Sequence, residues 1–165
     1  MVIALIILDI DGTLTSGGIT YGLDVELKTF DVKDGLILVT MQQMGIPVVF
    51  LTGRKSEAIT RRAADINATA IQGVSDKKTA LRNLIAERGV LAEETAYIGD
   101  DLNDYAAMKM CRFKACPSDS ALEIKAISDY ISPYPGGHGA VRDICEQLLH
   151  ELGRYGEYLE IFGVE

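Results

Sequence analysis

Cysteine is scarce in this 165-residue sequence, and long apolar runs are missing altogether. The three cysteines, Cys111, Cys116 and Cys145, are odd in number and lack metal-ligand spacing, which favours a reducing cytosol over a disulfide framework. No apolar run is long enough to cross a bilayer. The apolar start, residues 1–8, lacks the basic region and cleavage site of a signal peptide, and Asp9 ends it early. We therefore expect a cytoplasmic protein.

Positive charge is also in short supply, since 16 Lys and Arg against 24 Asp and Glu give a formal net charge of −8. This balance argues against nucleic acid or an anionic membrane surface as the main partner. It does not exclude small anions, because a local site can be positive within an acidic protein. The sequence is 48% hydrophobic and 24% charged, with no linker or repeat, so residues 1–165 are predicted to form one globular domain.

Strand-like and helix-like patterns alternate along the chain. Short apolar runs predict strands, and segments of helical length separate them. The expected strands are 2–8, 48–51, 70–71, 95–98, 113–115 and 130–131, and the expected helices are 34–44, 56–66, 76–88, one ending near 110, one beginning near 119, and 140–152. Asp34 is expected to cap the first helix, and Ser118 or Asp119 the fifth. This order predicts an α/β fold, a doubly wound, Rossmann-like parallel sheet with helices on both faces.

One segment departs from this alternation. Residues 19–21 and 25–30 have the pattern of a β-hairpin turned at 22–24, so an insertion is expected at about 18–31, after the first strand. Its pattern suits a lid or decoration and subunit contacts equally well. The tail, about 153–165, favours no particular structure.

Two carboxylates, Asp9 and Asp11, stand where the first apolar run stops. Side chains two positions apart share one side of an extended chain, and Gly12 then permits a sharp turn. Ligands of open α/β sheets bind outside the carboxyl ends of the strands, where this pair is placed. Adjacent carboxylates repel each other unless a cation or a shared proton intervenes. The pair therefore indicates a Mg²⁺ site with one carboxylate free to attack; the alternative is a polar strand exit with a turn at Asp11-Gly12.

Two further clusters follow the second and third strands. A Thr hydroxyl and a Gly N–H, at Thr52 and Gly53, are what a phosphate oxygen needs, although the same pair also suits a capped turn. Lys77 begins a helix, where a cation opposes the helix dipole unless it neutralises a phosphate or nearby carboxylates. The alternative for Lys77 is a solvated surface position. Lys78 is less suitable because it points about 100° further round the helix.

A last cluster follows the fourth strand and contains Asp100, Asp101 and Asp104. One carboxylate at a helix start is an ordinary cap, but three exceed what a cap requires. Mg²⁺ prefers oxygen ligands with one or two carboxylates and open positions for water and phosphate. Asp9, Asp11 and Asp100 meet that requirement.

Taken together, these clusters resemble the four motifs of the haloacid dehalogenase superfamily, in order and with suitable spacing, over about residues 9–104. The resemblance implies that Asp9 is the nucleophile that accepts the phosphoryl group and that Asp11 is the general acid and then the base. It implies that Thr52 and Lys77 hold the transferring phosphoryl group. Asp100 would complete the Mg²⁺ site with Asp9 and the backbone carbonyl of Asp11.

The same resemblance gives Asp101 and Asp104 the task of orienting metal-bound water or Lys77. Many members of the superfamily cover the site with a cap domain after the first or second motif. Here the segments 11–52 and 52–77 are too short for one, so no cap is expected. A neighbouring subunit or a large substrate would then close the site.

Most of the chain resembles one capless branch, the 3-deoxy-D-manno-octulosonate 8-phosphate (KDO-8-phosphate) phosphatases of lipopolysaccharide biosynthesis. The matching segments are 11–17, 30–35, 52–54, 72–77 and 136–142. The branch implies hydrolysis of a phosphorylated sugar acid, hairpins at the centre of a homotetramer and a tail that reaches a neighbouring site. Gly53 and Arg54 would join Thr52 and Lys77 in binding substrate, with Arg54 holding the sugar carboxylate. The alternative for Arg54 is a surface pair with Glu57 or Asp34.

Three other functions remain open from the sequence. Relatives that act on nine-carbon sialic-type sugar acids tend to carry an acid where this chain has Arg54, which favours the eight-carbon sugar. A non-catalytic assembly module of a sugar-nucleotide pathway is disfavoured because Asp9, Asp11, Lys77 and Asp100 are all present. A phosphorylation-switch receiver domain is disfavoured because its acidic pair precedes the phosphorylated Asp, whereas here the acidic cluster comes last.

Overall fold

The computed structural model describes residues 1–23 and 25–164. Its centre is a six-stranded sheet in the order β5-β4-β1-β6-β7-β8, and its strand pairs are all parallel. The strands are β1 Leu5–Leu8, β4 Val48–Thr52, β5 Thr69–Gln72, β6 Thr95–Ile98, β7 Phe113–Cys116 and β8 Tyr130–Ile131. β1 lies in the middle, between β4 and β6, which places the end of the first apolar run at the centre of the sheet edge.

Helices cover both faces of this sheet. α1 Val32–Gln43, α2 Glu57–Asp65, α6 Ala140–Leu152 and α7 Tyr155–Ile161 pack on the face that contains Ile6 and Leu8. α3 Lys77–Arg88, α4 Leu102–Met108 and α5 Leu122–Ile127 pack on the face that contains Leu5 and Ile7, and a 3-10 helix, Ala92–Glu94, precedes β6. Successive strand residues point to opposite faces of the sheet. Because helices cover both faces, every residue of β1 is buried. The expected doubly wound fold is confirmed.

The expected cap of α1 at Asp34 is wrong. The helix begins one turn earlier, and its N-cap is Asp31, whose Oδ1 accepts a hydrogen bond from Lys33 N at 2.7 Å. Asp34 is buried in the first turn, and its Oδ1 accepts from Arg142 N at 2.8 Å. Asp34 therefore satisfies a backbone donor at the start of α6, where the N-cap Gly139 offers no side chain.

The expected cap of α5 is also wrong. That helix begins at Leu122 with Ala121 as its N-cap, and no side chain caps it. Residues 117–120 form a turn instead, in which Ser118 N donates to Tyr134 O at 2.9 Å. Asp119 Oδ1 accepts from Gly136 N at 3.0 Å, so its carboxylate holds a loop rather than a helix.

The inserted hairpin is shorter than its sequence pattern suggested. β2 Thr20–Tyr21 and β3 Glu26–Leu27 pair antiparallel in a sheet of their own. Asp24, in the expected turn, lies outside the described residues, as does Glu165 at the end of the tail. Over the part of the tail that the structure describes, α7 packs against α6 and buries Tyr158.

Within residues 1–23 and 25–164, only the hairpin lies between β1 and α1, and only α2 and β5 lie between β4 and α3. This part of the chain therefore contains no cap domain, as the sequence predicted. Over the same residues, none of the helices combines the length and the apolarity that a bilayer crossing needs.

Candidate active site

The sequence-predicted residues meet at the carboxyl edge of three neighbouring strands. Asp9 and Asp11 follow β1, Thr52 ends β4, and Asp100 follows β6. Lys77 is the first residue of α3, which begins after β5. The parallel order β4-β1-β6 brings these strand ends together, so the topology itself assembles the site.

Lys77 joins two carboxylates that are remote in sequence. Its Nζ donates to Asp9 Oδ1 at 2.6 Å and to Asp104 Oδ1 at 2.7 Å, and its side chain is only 2% exposed. Asp76 caps α3 by accepting from Thr79 N at 3.1 Å, which fixes the turn that carries Lys77. Burial opposes the charge of the ammonium, but the two carboxylates outweigh it and raise the pKa of Lys77.

Three carboxylates share one small volume beside this ammonium. Asp9, Asp100 and Asp104 each offer an oxygen, and these oxygens lie within 4.8 Å of one another. Burial, together with the neighbouring carboxylates, raises the pKa of Asp9 to about 8 and that of Asp100 to about 6. Lys77 brings a single positive charge to three acids, so the cluster retains a negative charge that a divalent cation would neutralise.

Asp104 is already saturated by protein donors. Besides Lys77, Tyr97 donates its hydroxyl to Asp104 Oδ1 at 2.7 Å, and Asp100 N donates to Asp104 Oδ2 at 3.2 Å. Asp104 therefore holds Lys77 and the loop after β6, and Asp9 and Asp100 are the carboxylates with oxygens left for a metal ion. Tyr97 was not predicted from the sequence; the available signal was its hydroxyl within a short, fully buried strand.

The Asp101 side chain is not part of this group, although the Asp101 backbone N donates to Asp104 Oδ2 at 3.5 Å. It is exposed and is the N-cap of α4, where its Oδ1 accepts from Leu102 N at 2.7 Å. Of the two acids expected to support the metal site and Lys77, the structure thus brings Asp104 to Lys77 and places Asp101 at the surface.

Thr52, Gly53 and Arg54 form a turn at the end of β4. Thr52 is buried, and its Oγ1 accepts from Arg54 N at 3.2 Å. The Arg54 side chain is 45% exposed, with its Nε 3.9 Å from Asp11 Oδ2 and its Nη1 3.7 Å from Glu26 Oε2. Arg54 is therefore loosely held beside Asp11, and its carboxylate neighbours are Asp11 and Glu26, not Glu57 or Asp34.

The hairpin contributes a cation, Lys28, that was not predicted from the sequence. Lys28 Nζ contacts Asp11 Oδ1 and lies 2.9 Å from Glu26 Oε1, and the Lys28 side chain is fully buried. Burial disfavours the ammonium, but the hydrogen bonds to both carboxylates raise the pKa of Lys28. The signal in the sequence was the spacing of Glu26 and Lys28, which places both on one side of an extended strand.

A glycine-rich loop backs the turn that follows Asp11. Gly137 N donates to Thr13 O at 3.1 Å, and a Cβ on Gly136 would lie 2.7 Å from the Gly12 carbonyl carbon. Gly12 itself has a φ of 98°, and a Cβ there would lie 2.6 Å from Asp100 Cγ. A side chain at Gly136 would collide with the Gly12 backbone, and a side chain at Gly12 would collide with the Asp100 carboxylate. Glycine is therefore required at both positions. His138 Nδ1 lies 2.8 Å from Gly136 O, within the same loop.

Comparison with known proteins agrees with this geometry. The model of the haloacid dehalogenase-like hydrolase family matches residues 67–143. The chain is 36% identical to the 3-deoxy-D-manno-octulosonate 8-phosphate phosphatase KdsC of Haemophilus influenzae, over 92% of this chain and 86% of the relative. It is also 36% identical to the KdsC protein of Escherichia coli K12, over 94% of this chain and 84% of the relative.

Solved structures show the same likeness. A 3-deoxy-D-manno-octulosonate 8-phosphate phosphatase from Moraxella catarrhalis, in complex with magnesium, phosphate and KDO, superposes with a TM-score of 0.93 at 38% identity, covering 97% of this chain and 93% of that one. A cobalt-bound phosphatase from Haemophilus influenzae superposes with a TM-score of 0.88 at 35% identity, covering 93% and 91%. The chain therefore belongs to the haloacid dehalogenase-like hydrolases and, within them, to the 3-deoxy-D-manno-octulosonate 8-phosphate phosphatase family.

Proposed function

We propose that this protein is a Mg²⁺-dependent phosphomonoesterase that hydrolyses KDO-8-phosphate to KDO and inorganic phosphate. The observation that carries the proposal is the buried ammonium of Lys77 between Asp9 and Asp104, next to Asp100. Such a site combines a fixed nucleophile with positive charge for the phosphoryl oxygens, and phosphoryl transfer depends mainly on positioning and charge neutralisation. The names of the relatives support the choice of substrate.

The reaction divides into two displacements. The Asp9 carboxylate attacks phosphorus and forms a P–O bond, while the bond to the sugar oxygen breaks and Asp11 gives its proton to that oxygen. Asp11 then takes a proton from water as the water oxygen attacks phosphorus, and the bond from Asp9 to phosphorus breaks. Inorganic phosphate leaves, and both carboxylates return to their starting states. The Lys77 ammonium, the Thr52 hydroxyl and the Gly53 N–H bind phosphoryl oxygens in both steps.

Asp9, Asp100 and the backbone carbonyl of Asp11 would hold the Mg²⁺ ion. The fit rests on the oxygen donors of an acidic cluster and on the raised pKa values of Asp9 and Asp100 in the metal-free protein. When bound, Mg²⁺ neutralises charge on the phosphate and lets Asp9 approach it as a carboxylate.

Arg54 is the residue that we assign to the carboxylate of the sugar acid. It is half-exposed, its contacts to Asp11 and Glu26 are long, and it lies at the rim of the site. A guanidinium can bind a carboxylate through two parallel hydrogen bonds. A nine-carbon sugar-acid 9-phosphate is the second candidate substrate, and Arg54 favours the eight-carbon sugar over it.

We also propose a homotetramer, a cytoplasmic location and a single phosphatase domain over residues 1–165. The exposed apolar side chains of the hairpin support self-association; they are Tyr21, Leu23, Val25 and Leu27. The three cysteines are free and buried, which suits a reducing compartment. One sheet with a hydrophobic layer on each face supports the single domain.

The test is phosphate release from KDO-8-phosphate, a nine-carbon sugar-acid phosphate and glucose 6-phosphate, each with Mg²⁺ and with EDTA. We expect turnover with Mg²⁺, a preference for KDO-8-phosphate, and loss of turnover in Asp9→Asn and in Asp11→Asn. Asp65→Asn, at the exposed end of α2, is the matched control and should be fully active. Full activity of Asp9→Asn would overturn the proposed mechanism, and the absence of turnover in the wild type would favour a non-catalytic assembly module instead.

A further inference from the structure

Four charged side chains form a closed cluster at the base of the hairpin. Lys28 contacts Asp11 Oδ1 and Glu26 Oε1, and Arg54 lies near the other oxygen of each of these two carboxylates. Glu26 and Lys28 come from the hairpin, Asp11 from the end of β1, and Arg54 from the end of β4. The hairpin of this chain therefore reaches its own active site through two charged residues.

The two cations of this cluster differ in how firmly they are held. The Lys28 side chain is fully buried, and two carboxylates engage its ammonium. The Arg54 side chain is 45% exposed, and its contacts are 3.7 and 3.9 Å long. A buried, doubly paired ammonium keeps its geometry, whereas a long-range, half-exposed guanidinium is free to turn towards a ligand.

The two oxygens of Asp11 also differ. Oδ1 accepts from Lys28, and Oδ2 is buried with no hydrogen-bond partner among residues 1–23 and 25–164. An oxygen that accepts from an ammonium is a poor position for a proton, because protonation would break that hydrogen bond. The proton that Asp11 gives to the leaving group therefore belongs on Oδ2.

We propose that Lys28 is a positioning residue that fixes the rotamer of Asp11, so that Oδ2 carries the proton to the leaving oxygen. Glu26 supports Lys28 from the other side and keeps it from turning into the site. This inference rests on the proposed function, because it concerns the general acid of that reaction. Lys28 itself bonds neither to the substrate nor to the phosphoryl group.

Comparing leaving groups of different basicity distinguishes a residue that positions the general acid Asp11 from a residue that only stabilises the fold. The alcohol of KDO needs a proton as its bond to phosphorus breaks, whereas p-nitrophenolate leaves as a stable anion. First-turnover release of each leaving group measures this step alone, before water attacks the phosphorylated Asp9. Lys28→Met should slow first-turnover release of KDO by roughly 10- to 100-fold and change that of p-nitrophenolate by less than about 3-fold.

Lys55→Met is the matched control, since Lys55 lines the same cavity as Glu26 and Lys28, packs over Gly73 and does not pair with Asp11. It should change neither rate. Lys28→Arg should recover part of the KDO rate, because a guanidinium can also donate to Asp11 Oδ1. Glu26→Gln leaves both cations in place and should give a smaller loss with the same selectivity, which keeps the test available should Lys28→Met fail to fold.

An equal loss on both leaving groups, or no loss on either, would overturn the assignment of Lys28. That result differs from failure of the proposed function. If Asp9→Asn abolishes phosphate release while Lys28→Met keeps the wild-type ratio of the two first-turnover rates, the phosphatase stands and only the role of Lys28 falls. If Asp9→Asn stays active, the reaction itself is wrong.

Discussion

Lys77 Nζ donates to Asp9 Oδ1 at 2.6 Å, although the two residues are 68 positions apart in the chain. The pair joins the nucleophile at the end of β1 to the start of α3, with Asp104 on the other side of the ammonium. A buried charge of this kind is retained for its chemistry, because a buried ion pair seldom contributes net stability over apolar packing. The activity and the stability of the protein should therefore both depend on this pair.

Removal of the ammonium should reduce both activity and stability. Lys77→Met leaves the Asp9 and Asp104 carboxylates buried without their cation, and loss of one preorganised charge costs about 10²- to 10³-fold in kcat. The free energy of unfolding in EDTA should also fall, by about 3–5 kcal/mol, as for a broken buried ion pair. Steady-state phosphate release and urea unfolding measure the two effects. Lys78→Met, at the exposed next position, is the control, and a comparable loss there would contradict the role of Lys77.

The stability of the metal-free protein should fall as the pH rises. The folded-state pKa of Asp9 is raised to about 8 and that of Asp100 to about 6, so the folded protein binds more protons than the unfolded chain above about pH 4. The stabilisation from these protonated carboxylates is complete below pH 4 and is lost as the pH rises through 6 and 8. Thermal unfolding in EDTA between pH 5 and 8.5 measures this loss, and Asp9→Asn should flatten the curve.

Mg²⁺ should reverse that dependence, because it binds the ionised carboxylates and displaces their protons. The apparent affinity for Mg²⁺ should increase from pH 6 to pH 8. Calorimetric titration in two buffers of different ionisation enthalpy would report the protons released on binding. Binding with no proton release at pH 6.5 would contradict the raised pKa values.

Arg54 should matter for sugar acids and not for a simple aryl phosphate. Loss of a charge-assisted pair with the sugar carboxylate in Arg54→Ala should raise the KM for KDO-8-phosphate by roughly 10-fold or more and spare p-nitrophenyl phosphate. Arg61→Ala removes an arginine that pairs with Glu57 on the α2 surface and should change neither KM. Equal losses of Arg54→Ala on both substrates would overturn the assignment of Arg54 to the sugar carboxylate.

The hairpin should be the contact that joins subunits. Leu23 is fully exposed and Leu27 is 56% exposed, so Leu23→Glu with Leu27→Glu places charge in the proposed interface without disturbing the core. Light scattering should give a tetramer for the wild type and a smaller species for the double variant. Leu122→Glu, on the exposed side of α5, is the control and should remain a tetramer. A monomeric wild type would refute the assembly.

The strands and most helix limits followed from the sequence because each depends on local patterns. The strand Thr95–Ile98 and the helix from Lys77 to Arg88, with Asp76 and Gly89 at its ends, lie where the patterns predicted them. The structure buries Lys77 and leaves Lys78 exposed, as neighbouring positions on a helix point in different directions, and the role of Lys77 stays a prediction.

The errors concern side chains that act across elements. Asp34 was expected to cap its own helix, but it satisfies a donor of α6 on the neighbouring element. Lys28 was assigned no role because its contact with Asp11 depends on how the hairpin folds back over β1. Hydrogen bonds of this kind depend on tertiary packing, about which the pattern of one segment contains no information.

The contact between Gly136 and the Gly12 backbone has a consequence for biosynthesis. Asp9 is translated long before residues 136–139, the loop that backs the turn after Asp11. A nascent chain that stops before Gly136 thus carries every acidic residue of the site and lacks the support for the turn after Asp11. Catalytic competence should therefore appear only after this loop has been made, and a protein truncated before the loop should bind little phosphate even where its sheet has formed.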